Sequence, residues 1–505
     1  CYILNYLFTY MEGKKRMKKI KNVIKAIKDN FLIRVIIELL LGTLLFNINN
    51  IIALTFVLIL IAEVIFANVE EIIYIYIYLS FFDEVLQNKY LGGSISRIIM
   101  VVIAIKLIFN IIKNKIKISI NEIGILSFFA FSFIISLLTY KTIKLDVLII
   151  LFNILLFVLF SINIKMKDKK DIENFIENLF FIIVIAVINC IIYGLINNSF
   201  LKEIDGANTI YRFKGTYEPN FMSLFINLGI ISILAIKGKK INKKLSCLLC
   251  AVMININILT VSITGLTTML ITLILYLIFK KNIIKVELKD LSIIAMLVIV
   301  MFPMTRIYEN KFVASKKIDN NNNQKIEIPI PNENPNVSGE ETIISQDETV
   351  KKEDKDKEIS KKEENNLKKR LNFLHEILKN GNLDRLLSGR PSLFKTFIKA
   401  SFNRPLINIL FGNDITTKKI FVNYFNCEKY SHNSYVDILY NFGIIGFIIS
   451  FFFIFYKTIK NKYLKFSLND NYYKNDIKLV RIMLLIFALA LSLYTKRMIL
   501  VFFLL

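Results

Sequence analysis

Tryptophan is absent from the 505 residues, histidine occurs twice and cysteine five times. Each shortage removes a class of explanation. Without tryptophan, any aromatic belt at a water–lipid boundary has to be built from tyrosine. An odd, scattered cysteine set gives no disulfide framework. Cys247 and Cys250 form a C-x-x-C, but inside an apolar run and without a second ligand pair, which reads as packing and not as zinc. No Walker loop, zinc spacing or glycine-rich nucleotide fingerprint is present. The one Asp-x-Asp, Asp354-Lys355-Asp356, lies in a charge run and reads as a solvated segment, so no metal and no cofactor is expected. Two imidazoles, His375 and His432, leave a short choice of general base near neutral pH.

Acidic residues are also scarce, 40 against 65 basic ones, for a net charge of +25. The excess does not point to nucleic acid, because Lys and Arg come in short blocks between apolar runs and not along one amphipathic face. Cytoplasmic loops of membrane proteins collect such blocks. What the chain has in quantity is apolar side chains, 55% of all residues, in runs such as Leu145 to Ile164 and Leu245 to Phe279. A run of about 20 apolar residues spans the hydrocarbon layer as a helix.

The runs predict membrane helices over 31–47, 51–67, 71–86, 96–112, 122–140, 143–163, 173–197, 219–237, 244–261, 263–280, 289–306, 435–457 and 477–495. The expected class is all-α: a polytopic membrane protein of about 12–14 transmembrane helices with one large extracytoplasmic loop late in the chain. Residues 1–30 read as a basic cytoplasmic segment and 31–306 as the helix bundle. Residues 307–434 form the loop, and 435–505 the C-terminal helices. Lys14 to Lys28 precedes the first run as a signal peptide would, but so many runs follow that the first reads as a retained helix. With the N-terminus inside, Lys113/Lys115/Lys117, Lys237/Lys239/Lys240/Lys243/Lys244 and Lys457/Lys460/Lys462/Lys465 all fall on the cytoplasmic side, as expected in the cytoplasmic membrane. The turn Asn68 to Glu71 is acidic and breaks the pattern.

Two segments fall on the far side. One is the loop from about Asn198 to Pro219. The other runs from about Tyr308 to Ser434, and its middle, 319–366, is highly charged, poor in aromatics and unable to bury enough apolar area to fold. It reads as a disordered insertion, and 367–434 as the helical, functional part: Leu371, Leu374 and Leu378 recur at helical spacing, and Pro391 opens a short helix.

Arginine is depleted outside the cytoplasm, so those on the far side need a reason. Arg212 lies in IYRFKGTYEPNF and Arg390 in LLSGRPSLF; Arg385 and Arg404 nearby read as surface charges. A guanidinium presents a planar fork of donors that matches phosphate oxygens. His432 opens a helix in YSHNSYVDILYNFGIIGFI, on the same face, and His375 sits on a charged helical stretch as a solvated side chain.

These segments carry a resemblance. SGRPSLFKTFIKASFNRPLINILFGND followed by SHNSYVDILYNFGIIGFIISFFF resembles the signature region of the O-antigen ligase and polymerase superfamily: a Ser-Gly-Arg before a short helix, a Pro-Leu then Phe-Gly turn, and a His-Asn opening a helix with Gly-Ile-Ile-Gly. YRFKGTYEPNFMSLF resembles the family's Arg-x-x-Gly-Thr-(aromatic)-x-Pro-Asn stretch. Two positions depart: Ser262-Ile263-Thr264-Gly265 stands where Ser-Arg is common, and Gly412-Asn413-Asp414 where the turn usually ends Gly-x-Gly. The resemblance implies a metal-independent, inverting glycosyltransferase whose donor is an oligosaccharide on undecaprenyl diphosphate and whose acceptor is a glycan, a lipid or a protein. Arg212 and Arg390 would hold the diphosphate charge in place of a cation, and Lys214 would add to it. His432 would take the acceptor proton, with Asn433 and Tyr435 orienting the base or binding sugar.

Charges inside the spans keep a rival open, a polysaccharide flippase or other transporter. Glu38 falls four residues after Arg34 and would pair with it, Glu63 and Lys106 stand isolated, and Asn153 and Asn189 read as interhelical hydrogen bonders. A blander alternative is a scaffold that binds through its large loop. Polymerase and ligase share donor chemistry, and the residues do not choose between them.

Overall fold

A computed structural model describes residues 31–46, 50–88, 93–118, 169–205, 208–280, 284–323, 390–412, 419–422, 427–460, 462–463, 466–467 and 473–489, with short helical pieces between 127 and 164. The basic segment 1–30, residues 324–389 with most of the insertion and the residues after 489 lie outside the described residues, as do most of the helices expected at 122–140 and 143–163.

The described chain is mostly helix. The first part holds α1 (Phe31–Leu45), α2 (Asn50–Phe66), α3 (Val69–Ser80), α4 (Ile95–Lys113) and α5 (Lys169–Ile196). A hairpin of β1 (Phe200–Asp205) and β2 (Asn208–Phe213) follows, then α6 (Pro219–Ile236), α7 (Lys243–Leu259), α8 (Ile263–Phe279) and α9 (Ile284–Asn323). The last part holds α10 (Arg390–Phe402), α11 (Leu406–Phe411), a hairpin of β3 (Lys419–Val422) and β4 (Cys427–Tyr430), α12 (Ser434–Lys460) and α13 (Lys474–Ala488). Among the described residues, four helices are long and apolar enough to cross a membrane: α4, α6, Lys170–Ile196 of α5 and Lys285–Lys311 of α9. The chain is a membrane protein of helices.

Helix α6 is the centre of the bundle. It starts at Pro219, where a missing N–H costs nothing, and 89% of its span is buried against other helices. It packs on α5, α7, α8 and α13. The span in α9 is only 6% buried, so α9 lies at the periphery, against α7. Between helices in lipid, apolar surface gives no net drive, so small residues and polar bonds hold the contacts. Gly265 of α8 lies so close to α6 that a Cβ there would run into the Ser223 side chain. Asn189 of α5 donates to Thr43 Oγ1 of α1 at 2.6 Å and to Tyr78 of α3 at 2.5 Å, the interhelical role expected for it.

Three features differ from the sequence reading. Arg34 pairs with Glu63 of α2, at 2.7 Å, and not with Glu38 one turn along its own helix; a partner on a packed neighbour competes with one on the same face. Lys106 reaches the Ile65 carbonyl at the end of α2, at 2.5 Å, an open acceptor at a helix C-terminus. Helix α9 runs past the expected end at 306 and five residues into the expected insertion, to Asn323. The acidic turn that broke the charge pattern also has a local cause. Asn68 accepts from Glu71 N–H while the Glu71 carboxylate accepts from Asn68 N–H, a reciprocal cap on α3.

Helix α12 is bent at Gly443, whose φ of +68° and ψ of −170° leave the helical region. Gly412, at φ +92°, caps α11 against that bend. A Cβ on Gly412 would strike the Asn441 carbonyl, and one on Gly443 would strike the backbone of Leu410 and Gly412. The Phe-Gly turn and the Gly-Ile-Ile-Gly run therefore meet in space, backbone against backbone.

Candidate functional site

The loop expected between 198 and 219 is mostly the β1–β2 hairpin, with Leu201 opposite Arg212. Arg212 is buried, at 5% exposure. Its Nε donates to the Thr260 carbonyl at 3.0 Å, and its Nη2 donates to Asn220 Oδ1 at 2.8 Å. Thr260 caps the end of α7, so the guanidinium reaches a helix C-terminus, where a cation is favoured. Asn220 Oδ1 also accepts from Ser262 Oγ at 2.9 Å, and Asn220 Nδ2 donates to Glu218 Oε1 at 3.2 Å. Ser262 in turn caps α8, accepting from Gly265 N–H at 3.1 Å. Three helix ends thus converge on one arginine.

Beneath this lies a second buried layer. Ser223 donates to Asn257 at 2.5 Å, Asn257 to Asn227 at 2.9 Å, and Asn227 to the Gly265 carbonyl at 2.9 Å. Each amide is satisfied, which keeps α6, α7 and α8 in register. Lys214 follows the hairpin, half-buried, with its backbone N–H on the Ser199 carbonyl at 2.9 Å.

His432 precedes α12 in left-handed backbone, at φ +53°, with its side chain exposed. A residue other than glycine holds that conformation only where its surroundings fix it. Here the neighbours do so. Ser431 donates to Asp437, and its Oγ accepts from Asn433 N–H at 3.0 Å. Asn433 caps α12, its Oδ1 accepting from Tyr435 N–H at 2.9 Å and Val436 N–H at 3.1 Å. Its Nδ2 donates to the Leu489 carbonyl at 3.1 Å, and Tyr435 OH donates to the Leu485 carbonyl at 3.1 Å. Asn433 Nδ2 and Tyr435 OH thus fasten α12 to the end of α13, while Asn433 Oδ1 caps α12 directly after His432.

Arg390 is the first residue of α10, partly buried. Phe397 of that helix packs edge-on to Tyr440 of α12 at 5.4 Å, within a cluster that includes Val436. Arg404 is no loose surface charge: its Nη1 donates to the Tyr440 carbonyl at 3.0 Å and its guanidinium lies 4.4 Å from that ring. Arg390 is thus carried by a helix seated on the first turns after His432.

Two further bonds fix which ends of the bundle meet. Lys280 Nζ binds Asp476 at 3.0 Å, and Asn475 donates to the Phe279 carbonyl at 3.2 Å. The end of α8 therefore lies beside the start of α13, and the two run antiparallel. Leu489, just past α13, then lies at the Ser262 end of α8, and Asn433 is bonded to Leu489. Arg212 and the His432 turn stand at one end of the bundle. Thr260 and Asp437 escaped the sequence reading, and Asn220 and Ser262 entered it only within the resemblance and not as site residues. Ser262, followed three residues later by a helical Gly265, did carry a capping signal.

Comparison of the chain with models of known protein families, with curated proteins and with solved structures gives no match in any of the three.

Proposed function

We propose that this chain is a glycosyltransferase of the cytoplasmic membrane, moving a glycan from undecaprenyl diphosphate to a sugar hydroxyl at the extracytoplasmic face. The reaction is a metal-independent, inverting displacement. The acceptor oxygen bonds to the anomeric carbon, and the bond from that carbon to the diphosphate oxygen breaks. The lipid diphosphate leaves with the electron pair. Arg212 and Arg390 take up the charge that develops on it, with Lys214 adding to the field. His432 accepts the proton of the attacking hydroxyl.

The observation that supports this reading is the pairing at one bundle end of a buried, clamped arginine with an exposed imidazole in fixed backbone. The opposite end carries Lys237, Lys239 and Lys280, and the positive-inside bias favours a reading with that end in the cytoplasm and the Arg212 end outside. The exterior holds no nucleotide sugars, so a donor there arrives on a lipid.

The test is reconstitution of the protein in vesicles with a polyprenyl-diphosphate oligosaccharide, a glycan acceptor and a chelator. The expected result is a new glycosidic product formed with the chelator present, and its length separates polymerase from ligase. Absence of product with folded protein, together with movement of the donor across the bilayer, would replace this reading with the transporter.

A further inference from the structure

Asn220 and Ser262 touch Arg212's surroundings in a way that exceeds helix capping. Nε and Nη2 form one edge of the planar guanidinium, and each is bonded to a different oxygen. A planar group held at two points on one edge has lost rotation about its stem. Of those two oxygens, the Thr260 carbonyl belongs to backbone and is fixed by its helix. The other belongs to a side chain and would be free to turn, were it not held twice more. Ser262 Oγ donates to the same Asn220 Oδ1, and Glu218 accepts from Asn220 Nδ2. Those bonds settle which way the amide faces, since only an oxygen can accept from both Arg212 and Ser262.

We propose that Asn220, oriented by Ser262, is a positioning residue for Arg212 and sets the angle at which its guanidinium meets the donor diphosphate. This rests on the glycosyltransferase reading above. An amide suits the task because it orients the guanidinium without adding a negative charge of its own. A carboxylate at this position would accept the same two bonds, but would attract the cation it is meant to present. The departure at Ser262-Ile263 fits the same picture: the serine hydroxyl is used here on Asn220 and on the α8 cap.

The experiment measures kcat and KM for a polyprenyl-diphosphate oligosaccharide in vesicles, with thermal unfolding recorded for every variant. Arg212→Ala is the reference and is expected to lose transfer. Asn220→Ala and Ser262→Ala are expected to lower kcat about tenfold, the scale of a displaced catalytic group, while Ser262→Thr restores it. Asn220→Asp is the decisive variant: it keeps the bonds accepted from Arg212 and Ser262, loses the one donated to Glu218, and is expected to raise KM for the anionic donor in the folded protein. Wild-type kinetics in folded Asn220→Ala and Asn220→Asp, with Arg212→Ala inactive, would overturn the positioning role alone. So would losses that follow melting temperature and are not restored by Ser262→Thr. Wild-type transfer by Arg212→Ala would overturn the underlying reading, and this proposal with it.

Discussion

At the Lys237 end of the bundle, cations meet carboxylates. Lys237 binds Glu287 at 2.8 Å and Asp290 at 2.6 Å, Lys239 binds Glu177 at 3.1 Å, and Lys280 binds Asp476 at 3.0 Å. Tyrosines join them, Tyr276 donating to Glu287 and Tyr473 to Glu177. At the Arg212 end, the guanidinium donates to an amide oxygen and a backbone carbonyl instead. Charges paired with carboxylates close helix ends together and are neutralised in doing so. The first arrangement is built on ion pairs, and these two bonds of the second on an amide oxygen and a backbone carbonyl.

That contrast can be broken from either side. The largest effect is expected from His432→Ala, which should lower transfer by about 10²–10⁴, the range of a lost general base. Its melting temperature should stay unchanged, because the imidazole is exposed; a stability loss without a rate loss would make it structural. Next comes Lys237→Met, which leaves buried Glu287 and half-buried Asp290 without their cation. Thermal unfolding should show a loss of about 3–5 kcal/mol, with transfer per folded molecule retained.

A pH series sharpens the same point. Lys237 lies one residue past its span. Burial lowers its pKa, but its hydrogen bonds to Asp290 and Glu287 outweigh this and hold the ammonium above its ordinary value. A raised folded-state value means the contribution is whole below about pH 10, the usual lysine range, and falls only as pH rises through the folded value. Stability carried by Lys237 that fell between neutrality and about pH 9, below the usual lysine range, would contradict the pairing. The smallest effect is expected from Asn433→Ala, about 1 kcal/mol for a lost cap, with KM for the donor unaltered and Asn433→Ser restoring stability. A changed KM would return Asn433 to the ligand-binding role the sequence offered.

The long apolar helices α4, α5, α6 and α9 were legible because their runs are long enough to span, and Pro219 marks the start of α6 in the letters alone. The β1–β2 hairpin was not, although Asp205-Gly206 between two short runs is a turn signal; six-residue strands beside long apolar helices were absorbed into a loop. Helix α9 was cut short because Arg306, Glu309 and Lys311 end the apolar run while the helix itself continues to Asn323. Arg212 and His432 were singled out because arginine is expected to be depleted in far-side loops and histidine occurs only twice in the chain. Asn220 and Ser262 were not, since their meeting depends on α6 and α8 lying side by side, and no spacing within either helix encodes that. Arg34 shows the same limit: its own helix offered Glu38, and packing supplied Glu63.

The most direct measurement compares Arg212→Ala with Lys237→Met in one preparation of vesicles, scoring glycan transfer per folded molecule. Transfer per folded molecule should fall about 100-fold or more in Arg212→Ala, beyond any loss of stability from removing a buried side chain, while Lys237→Met melts lower and transfers normally. Wild-type transfer by folded Arg212→Ala would contradict the assignment of that end of the bundle to chemistry.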